Sequence, residues 1–194
     1  MLEDVIIIND FYDDPYAIRE KAMSSGLFPF VNYIPGQRSL GVPDDESEIL
    51  KKRFEEILGT PITRWVPYRG SNSATMNTCY QLVTEDDPGW IHHDDTTWAG
   101  VVYLNPDPDS DAGTGLYTHI ETGVYQWDPN DPSTDFNTHP DRFDYTKWRL
   151  NLEVKNQFNR LILYKSSYYH NMMKDGFGKN YVDGRLTQVF FFDA

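Results

Sequence analysis

The rhythm of apolar and polar positions changes near residue 63, and the change divides the chain. Ahead of it, Val5-Ile6-Ile7-Ile8 is a β-branched run that predicts a strand. Asn9-Asp10 and Asp13-Asp14-Pro15 then supply turn and helix-start chemistry. Residues 15–25 carry Ala17, Ile18, Ala22 and Met23 at helical spacing, and Gly26 ends the run. Residues 36–42, between Pro35 and Pro43, read as a loop or short strand. Residues 44–58 predict a second helix with an apolar stripe of Ile49, Phe54, Ile57 and Leu58, capped by Gly59.

After residue 63, strand-like runs dominate: 75–83, 97–104, 115–120, 160–164 and 186–192. Turns rich in Gly, Pro, Asn and Asp separate them. Many short strands with such punctuation predict a mainly β sandwich or barrel, with the two helices packed outside its main sheet. Residues 125–152 break the pattern with Pro129, Pro132 and Pro140, many Asp and Asn, and the aromatics Trp127, Phe143 and Trp148. They read as a long insertion with little regular structure, either a functional lid or a surface elaboration tied down by its rings.

Composition narrows the picture. A chain of 194 residues suits one domain, 1–194, with residues 1–62 as support and 63–194 as core. A net charge of −13 disfavours nucleic acid and anionic lipid as partners. The run Lys51-Lys52-Arg53 falls on the solvated face of the second helix. One cysteine, Cys79, excludes a disulfide framework within the chain and reads as a buried small hydrophobe. The N-terminus lacks a basic signal-peptide region, and no apolar run approaches the ~20 residues of a membrane span. A soluble cytoplasmic protein is expected, with a small-molecule, peptide or protein substrate.

The densest cluster of ligand-type residues is Trp90-Ile91-His92-His93-Asp94-Asp95. In an extended segment, His92 and Asp94 project to the same side, so an imidazole and a carboxylate reach one ion. His93 and Asp95 satisfy the same H-x-D spacing. His170, in Tyr168-Tyr169-His170-Asn171, is the candidate third ligand. Two imidazoles and one carboxylate leave coordination positions open, the arrangement of non-haem Fe(II) oxygenases. Arg185 opens the aromatic strand Val189-Phe190-Phe191-Phe192, and an inward arginine there can grip a carboxylate with its fork. Thr187, two residues on, shares its face and can add a hydrogen bond.

These residues in this order resemble the Fe(II)- and 2-oxoglutarate-dependent dioxygenases, in the prolyl-hydroxylase-like branch. The resemblance rests on His92-x-Asp94, on Tyr103-Leu104-Asn105 ending a strand, and on the glycine-led run Gly113-Thr114-Gly115-Leu116-Tyr117. It continues through Asn159-Arg160-Leu161-Ile162-Leu163-Tyr164 into His170, closes with Gly184-Arg185-Leu186-Thr187, and takes in the opening Ile8-Asn9-Asp10-Phe11. The chain looks most like a type met in phages and marine microbes, which implies action in a host cytoplasm. The resemblance implies a double-stranded β-helix, or jelly-roll, with Fe(II) held by His92, Asp94 and His170. It implies 2-oxoglutarate and O2 as cosubstrates, with the distal carboxylate on Arg185 aided by Thr187, and with Tyr80 or alternatively Tyr103 donating from a neighbouring strand. It implies hydroxylation of a substrate C–H bond with release of succinate and CO2. The family's histidine follows an apolar strand residue, here Ile91, which favours His92 and Asp94 over His93 and Asp95. His119 and His139 lie outside the pattern and read as structural or substrate-facing.

Trp90, Trp98, Trp127, Trp148 and Tyr169 are candidate pocket walls, each with core packing as the plainer role. Two rivals stand beside the oxygenase reading. One is a cupin-like metalloenzyme or hydrolase that uses the same ligands without 2-oxoglutarate. The other is a jelly-roll binding or phage-structural protein with a vestigial site.

Overall fold

The computed structural model describes residues 2–29, 34–70 and 76–194. Ten strands and two helices follow in order: β1 (Val5–Ile8), α1 (Pro15–Ser24), β2 (Phe28–Pro29), β3 (Gln37–Gly41), α2 (Asp44–Leu58), β4 (Cys79–Val83), β5 (Trp98–Tyr103), β6 (Thr114–His119), β7 (Trp148–Val154), β8 (Leu161–Lys165), β9 (His170–Met172) and β10 (Arg185–Phe192). The strands form a seven-stranded sheet, β1-β8-β5-β10-β4-β3-β2, and a three-stranded sheet, β7-β6-β9. The architecture is a mainly β jelly-roll with two helices on its outer face. Among the described residues, no helix is long and apolar enough to cross a membrane.

Local chemistry sets the helix limits. Asp14 accepts a hydrogen bond from the Ala17 amide at 3.0 Å and Pro15 opens α1, which satisfies one orphan donor and pre-sets the first φ. Gly26 (φ 67°) follows the helix where the chain turns away. Asp44, Asp45 and Glu46 place negative charge at the positive end of α2, and Gly59 caps it in the left-handed conformation with its amide on Glu55 O at 2.8 Å. The buried face of α2 is Ser47, Leu50 and Phe54, at helical spacing. Ile49 does not belong to the stripe; it is 69% exposed, because two residues from Ser47 is half a turn around the helix.

Strand alternation then divides β10 between two cores. Leu186, Phe190 and Phe192 face the helices with Phe11, Leu50 and Phe54. The Phe54 ring lies 4.8 Å from Phe190 and 5.1 Å from Phe192, centroid to centroid. Arg185, Thr187, Val189 and Phe191 alternate to the opposite, inner face. Register carries that face across the sheet: Thr187 pairs with Gln81 and Tyr103, and Gln81 pairs with Arg38. The inner face and the small sheet enclose the cavity.

Two predicted elements differ from the structure. The insertion is shorter than expected, because Trp148–Val154 is strand β7, paired along β6. The remainder holds three single 3-10 turns, at Pro132–Thr134, Pro140–Phe143 and Tyr145–Lys147. Three prolines and closely spaced Asp residues favour such turns over longer elements. The predicted strand 75–83 is Cys79–Val83; Thr75 lies outside the described residues.

Candidate metal centre

The segment after Gly89 runs alongside β9. His92 and His170 form an isolated antiparallel bridge and exchange both backbone hydrogen bonds, at 3.0 and 2.8 Å. Directly opposed residues in such a pair carry side chains on one face, so register alone sets the two imidazoles side by side. Their ring centroids are 4.4 Å apart. Asp94 is fixed next, its amide donating to Ser166 O at 2.9 Å and its carbonyl accepting from Ser166 Oγ at 3.3 Å. The result is one convergent group: a nitrogen each from His92 and His170 and an Asp94 carboxylate oxygen, all within 4.8 Å of one another.

Hydrogen bonding selects the tautomers. His92 Nδ1 lies 2.9 Å from Trp90 O, and His170 Nδ1 lies 2.7 Å from Tyr168 O. A carbonyl only accepts, so each Nδ1 carries a proton and Nε2 is the nitrogen each ring can offer to a ligand. Burial, with His170 beside it, pulls the His92 imidazole down to about 4, so it is neutral at pH 7. Burial would raise the Asp94 carboxyl, but the adjacent His170 and His92 outweigh it and hold it at about 2. His170 Nε2 and Asp94 Oδ2 are 3.2 Å apart, and this buried Oδ2 has no hydrogen-bond partner. The contact is of ion-pair length, the kind that a proton on the imidazole or a metal cation in its place holds together. A cation about 2.1 Å from each ligand sets neighbouring ligand atoms roughly 3 Å apart, close to the spacing seen.

His93 and Asp95 lie elsewhere. His93 points away from the group, stacked on Trp127 at 4.4 Å with 8° between the planes. Its backbone exchanges hydrogen bonds with the Asn137 side chain at 3.1 and 3.0 Å. Asp95 is exposed at the cavity mouth. His119 bonds Asp141 at 3.1 Å and Thr122 at 3.0 Å, and His139 caps a 3-10 turn; both are structural.

The cavity beside the triad has a volume of about 510 Å³. Arg185 lines it and is buried, its Nε donating to Ala112 O at 3.0 Å. Among the described residues its terminal nitrogens have no hydrogen-bond partner and no carboxylate lies within ion-pair distance. Burial lowers its pKa, with only Tyr103 and Tyr164 opposing. Thr187 Oγ1 is buried with no partner, and Tyr103 Oη is 2.7 Å from Thr114 Oγ1, with its ring 5.5 Å from the Arg185 guanidinium.

Tyr80 is a correction. It is on the even face of β4 and packs with Leu82 against the helices, so it cannot reach the cavity. Of the candidate walls, only Trp90 lines the cavity. Trp98 belongs to the helix-side core, while Trp148 and Tyr169 pack with Ile91 and Phe136 beneath the insertion. The insertion thus buttresses the ligand segment: Ile91 N donates to Arg142 O at 3.0 Å, and Phe136 N to Tyr169 Oη at 2.8 Å. Sequence reasoning missed Tyr164, whose ring meets His170 edge-on at 4.8 Å, and Arg38, a second cavity arginine. Only the inward register of their strands marks them.

A family of unknown function, DUF6445, matches residues 2–192. The chain belongs to that family. Curated proteins gave no match. Solved structures share its fold. HygX from Streptomyces hygroscopicus, with nickel, 2-oxoglutarate and hygromycin B bound, superposes with a TM-score of 0.57 at 8% identity, over 97% of this chain and 82% of that one. A prolyl hydroxylase from Trichoplax adhaerens, in complex with a hypoxia inducible factor peptide, gives 0.52 at 16% identity over 98% and 84%. SnoN, a non-heme alpha ketoglutarate dependent epimerase from nogalamycin biosynthesis, gives 0.57 at 12% identity over 100% and 77%. At these identities the likeness establishes the jelly-roll fold alone.

Proposed function

We propose that this family member is a non-haem Fe(II)- and 2-oxoglutarate-dependent oxygenase that hydroxylates a C–H bond of its substrate. The observation that carries the reading is the convergence of His92, Asp94 and His170 ligand atoms within 4.8 Å of one another, in one cavity with an unneutralised Arg185. His92, Asp94 and His170 would hold the metal. HygX, of similar fold, binds nickel with 2-oxoglutarate in one structure and iron in another, which supports that cofactor set. When bound, iron with 2-oxoglutarate and O2 supplies C–H oxidation, with succinate and CO2 as coproducts.

The chain's own residues divide the remaining work. The Trp90 and Tyr168 carbonyls fix both imidazoles in the ligating tautomer. Ser166 sets the Asp94 backbone, and Tyr164 packs on the His170 ring. Arg185 would bind the distal carboxylate of 2-oxoglutarate through its terminal nitrogens, with the Thr187 hydroxyl and Tyr103 beside it. Trp90 and the apolar inner faces of β5 and β10 keep water from the reacting end.

The test is a screen for succinate release with Fe(II), 2-oxoglutarate and O2 across amino acids, peptides and small metabolites. Stoichiometric succinate with one substrate class, lost in Asp94→Ala, supports the reading. Full turnover in Arg185→Ala would favour a metalloenzyme that does not use 2-oxoglutarate.

A further inference from the structure

We propose that Arg38 anchors an oxyanion, a carboxylate or a phosphate, carried by the substrate. The inference rests on the reading above, in which 2-oxoglutarate takes Arg185. Arg38 stands on β3, paired in register with Gln81 of β4, and its side chain enters the cavity. It is only 8% exposed, and its guanidinium lies over the Phe191 ring at 5.6 Å. Its polar contact within the protein is Nη2 to Gln81 Oε1, a long 3.4 Å. Its Nε is buried without a partner, and among the described residues no carboxylate comes within ion-pair distance. Gln81 is itself held by its amide donating to Pro35 O at 3.0 Å. A neutral amide orients the fork but does not neutralise it. A buried, unpaired cation opposes folding, so its natural partner is an anion that arrives from outside.

Charge counting leaves a place for that anion. The buried Arg38 and Arg185 and the half-buried Asp94 carboxylate leave the cavity a net of one positive. Fe(II) and the two carboxylates of 2-oxoglutarate cancel each other, so one positive charge persists in the loaded site. Arg64 and Asp95 at the mouth are exposed, and Arg64 is paired with Asp193 at 3.6 Å. The whole chain carries −13, so this interior charge is local.

Position separates the two arginines. They lie two strands apart and two residues out of register, which sets their Cα atoms roughly 12 Å apart. Both arginines face Tyr164, but Arg38 also interacts with Asp94 and His92, at the ligand end, whereas Arg185 also faces Tyr103. An anion on Arg38 would therefore hold the rest of its molecule against the open side of the metal.

The test loads the protein with Ni(II), saturates it with 2-oxoglutarate, and titrates inorganic phosphate and acetate separately by calorimetry. The expected result is one site for at least one anion, at least tenfold weaker in Arg38→Met, partly kept in Arg38→Lys and unchanged in Arg64→Met. The anion that binds tells phosphate from carboxylate. Because Arg38→Met removes a buried unpaired charge, its Tm without anion should equal or exceed wild type; a purely structural Arg38 would lower it. No binding of either anion, or equal binding in Arg38→Met, overturns the proposal. The affinity for 2-oxoglutarate is read in the same variants. Loss in Arg185→Met with retention in Arg38→Met is expected, and the reverse would make Arg38 the cosubstrate anchor and overturn the assignment. If wild type binds no 2-oxoglutarate, the oxygenase reading fails, while phosphate titration of the Ni(II)-loaded protein still decides the role of Arg38.

Discussion

His170 Nε2 faces Asp94 Oδ2 across 3.2 Å while the other nitrogen of the same ring is committed to the Tyr168 carbonyl at 2.7 Å. A metal cation bound between the two atoms would replace whatever proton holds them and draw in His92 as well. Added Ni(II) should therefore stabilise the fold. At a hundred times its dissociation constant it contributes about 2.7 kcal/mol. That is a Tm rise of roughly 5–10 °C for a chain of this size. Scanning calorimetry with and without Ni(II) checks it, and Asp94→Ala should abolish the rise.

The doublets His92-His93 and Asp94-Asp95 give a sharper test of register. His93→Ala should lose stability, by about 1–3 kcal/mol, because it removes a buried ring from the Trp127 stack. Its metal affinity should stay close to wild type. Asp95→Asn should change neither quantity by more than about 0.5 kcal/mol. Urea titration and metal-binding calorimetry separate the two effects; a His93→Ala protein that folds and takes up no metal would reassign the ligands.

Arg185→Ala should weaken 2-oxoglutarate binding by 10- to 150-fold, since a hydrogen bond to a charged group contributes about 1.5–3 kcal/mol. Lysine should restore part of the affinity through charge without the planar fork. Equilibrium binding of 2-oxoglutarate to Ni(II)-loaded variants reads this directly, and wild-type affinity in Arg185→Ala would remove the residue from the cosubstrate site.

Cys79 carries the pH prediction. Burial pushes its thiol up to about 12, with Arg38 and Arg69 opposing weakly. The folded thiol stays protonated where the unfolded one ionises, so its contribution to stability is complete below about pH 9 and is lost as pH rises towards 12. Thiol labelling at pH 8 should track unfolding, and rapid labelling of the native protein would contradict the burial.

Much of this was legible in the chain, and the reasons are local. Asp14-Pro15 and Gly59 mark helix ends through their own backbone chemistry. His92, Asp94 and His170 could be singled out as ligand types at strand ends, and the fold brings them together; Arg185 could be singled out where it opens an aromatic strand, and it lines the same cavity. The Tyr80 role failed because a single step in strand register moves a side chain to the opposite face. Strand β7 was hidden because Arg149, Leu150 and Asn151 face outward, which leaves no alternation to read. Arg38 gave no signal, since its inward direction depends on pairing with Gln81 from 43 residues away.

The most direct test of the central claim is an anaerobic titration of the Fe(II)-loaded protein with 2-oxoglutarate, followed by visible absorption. The account predicts a metal-to-ligand charge-transfer band that saturates at one equivalent per chain, absent in Asp94→Ala and shifted to much higher 2-oxoglutarate concentration in Arg185→Ala. Wild-type protein that takes up no Fe(II), or takes it up and shows no band with 2-oxoglutarate, would contradict it.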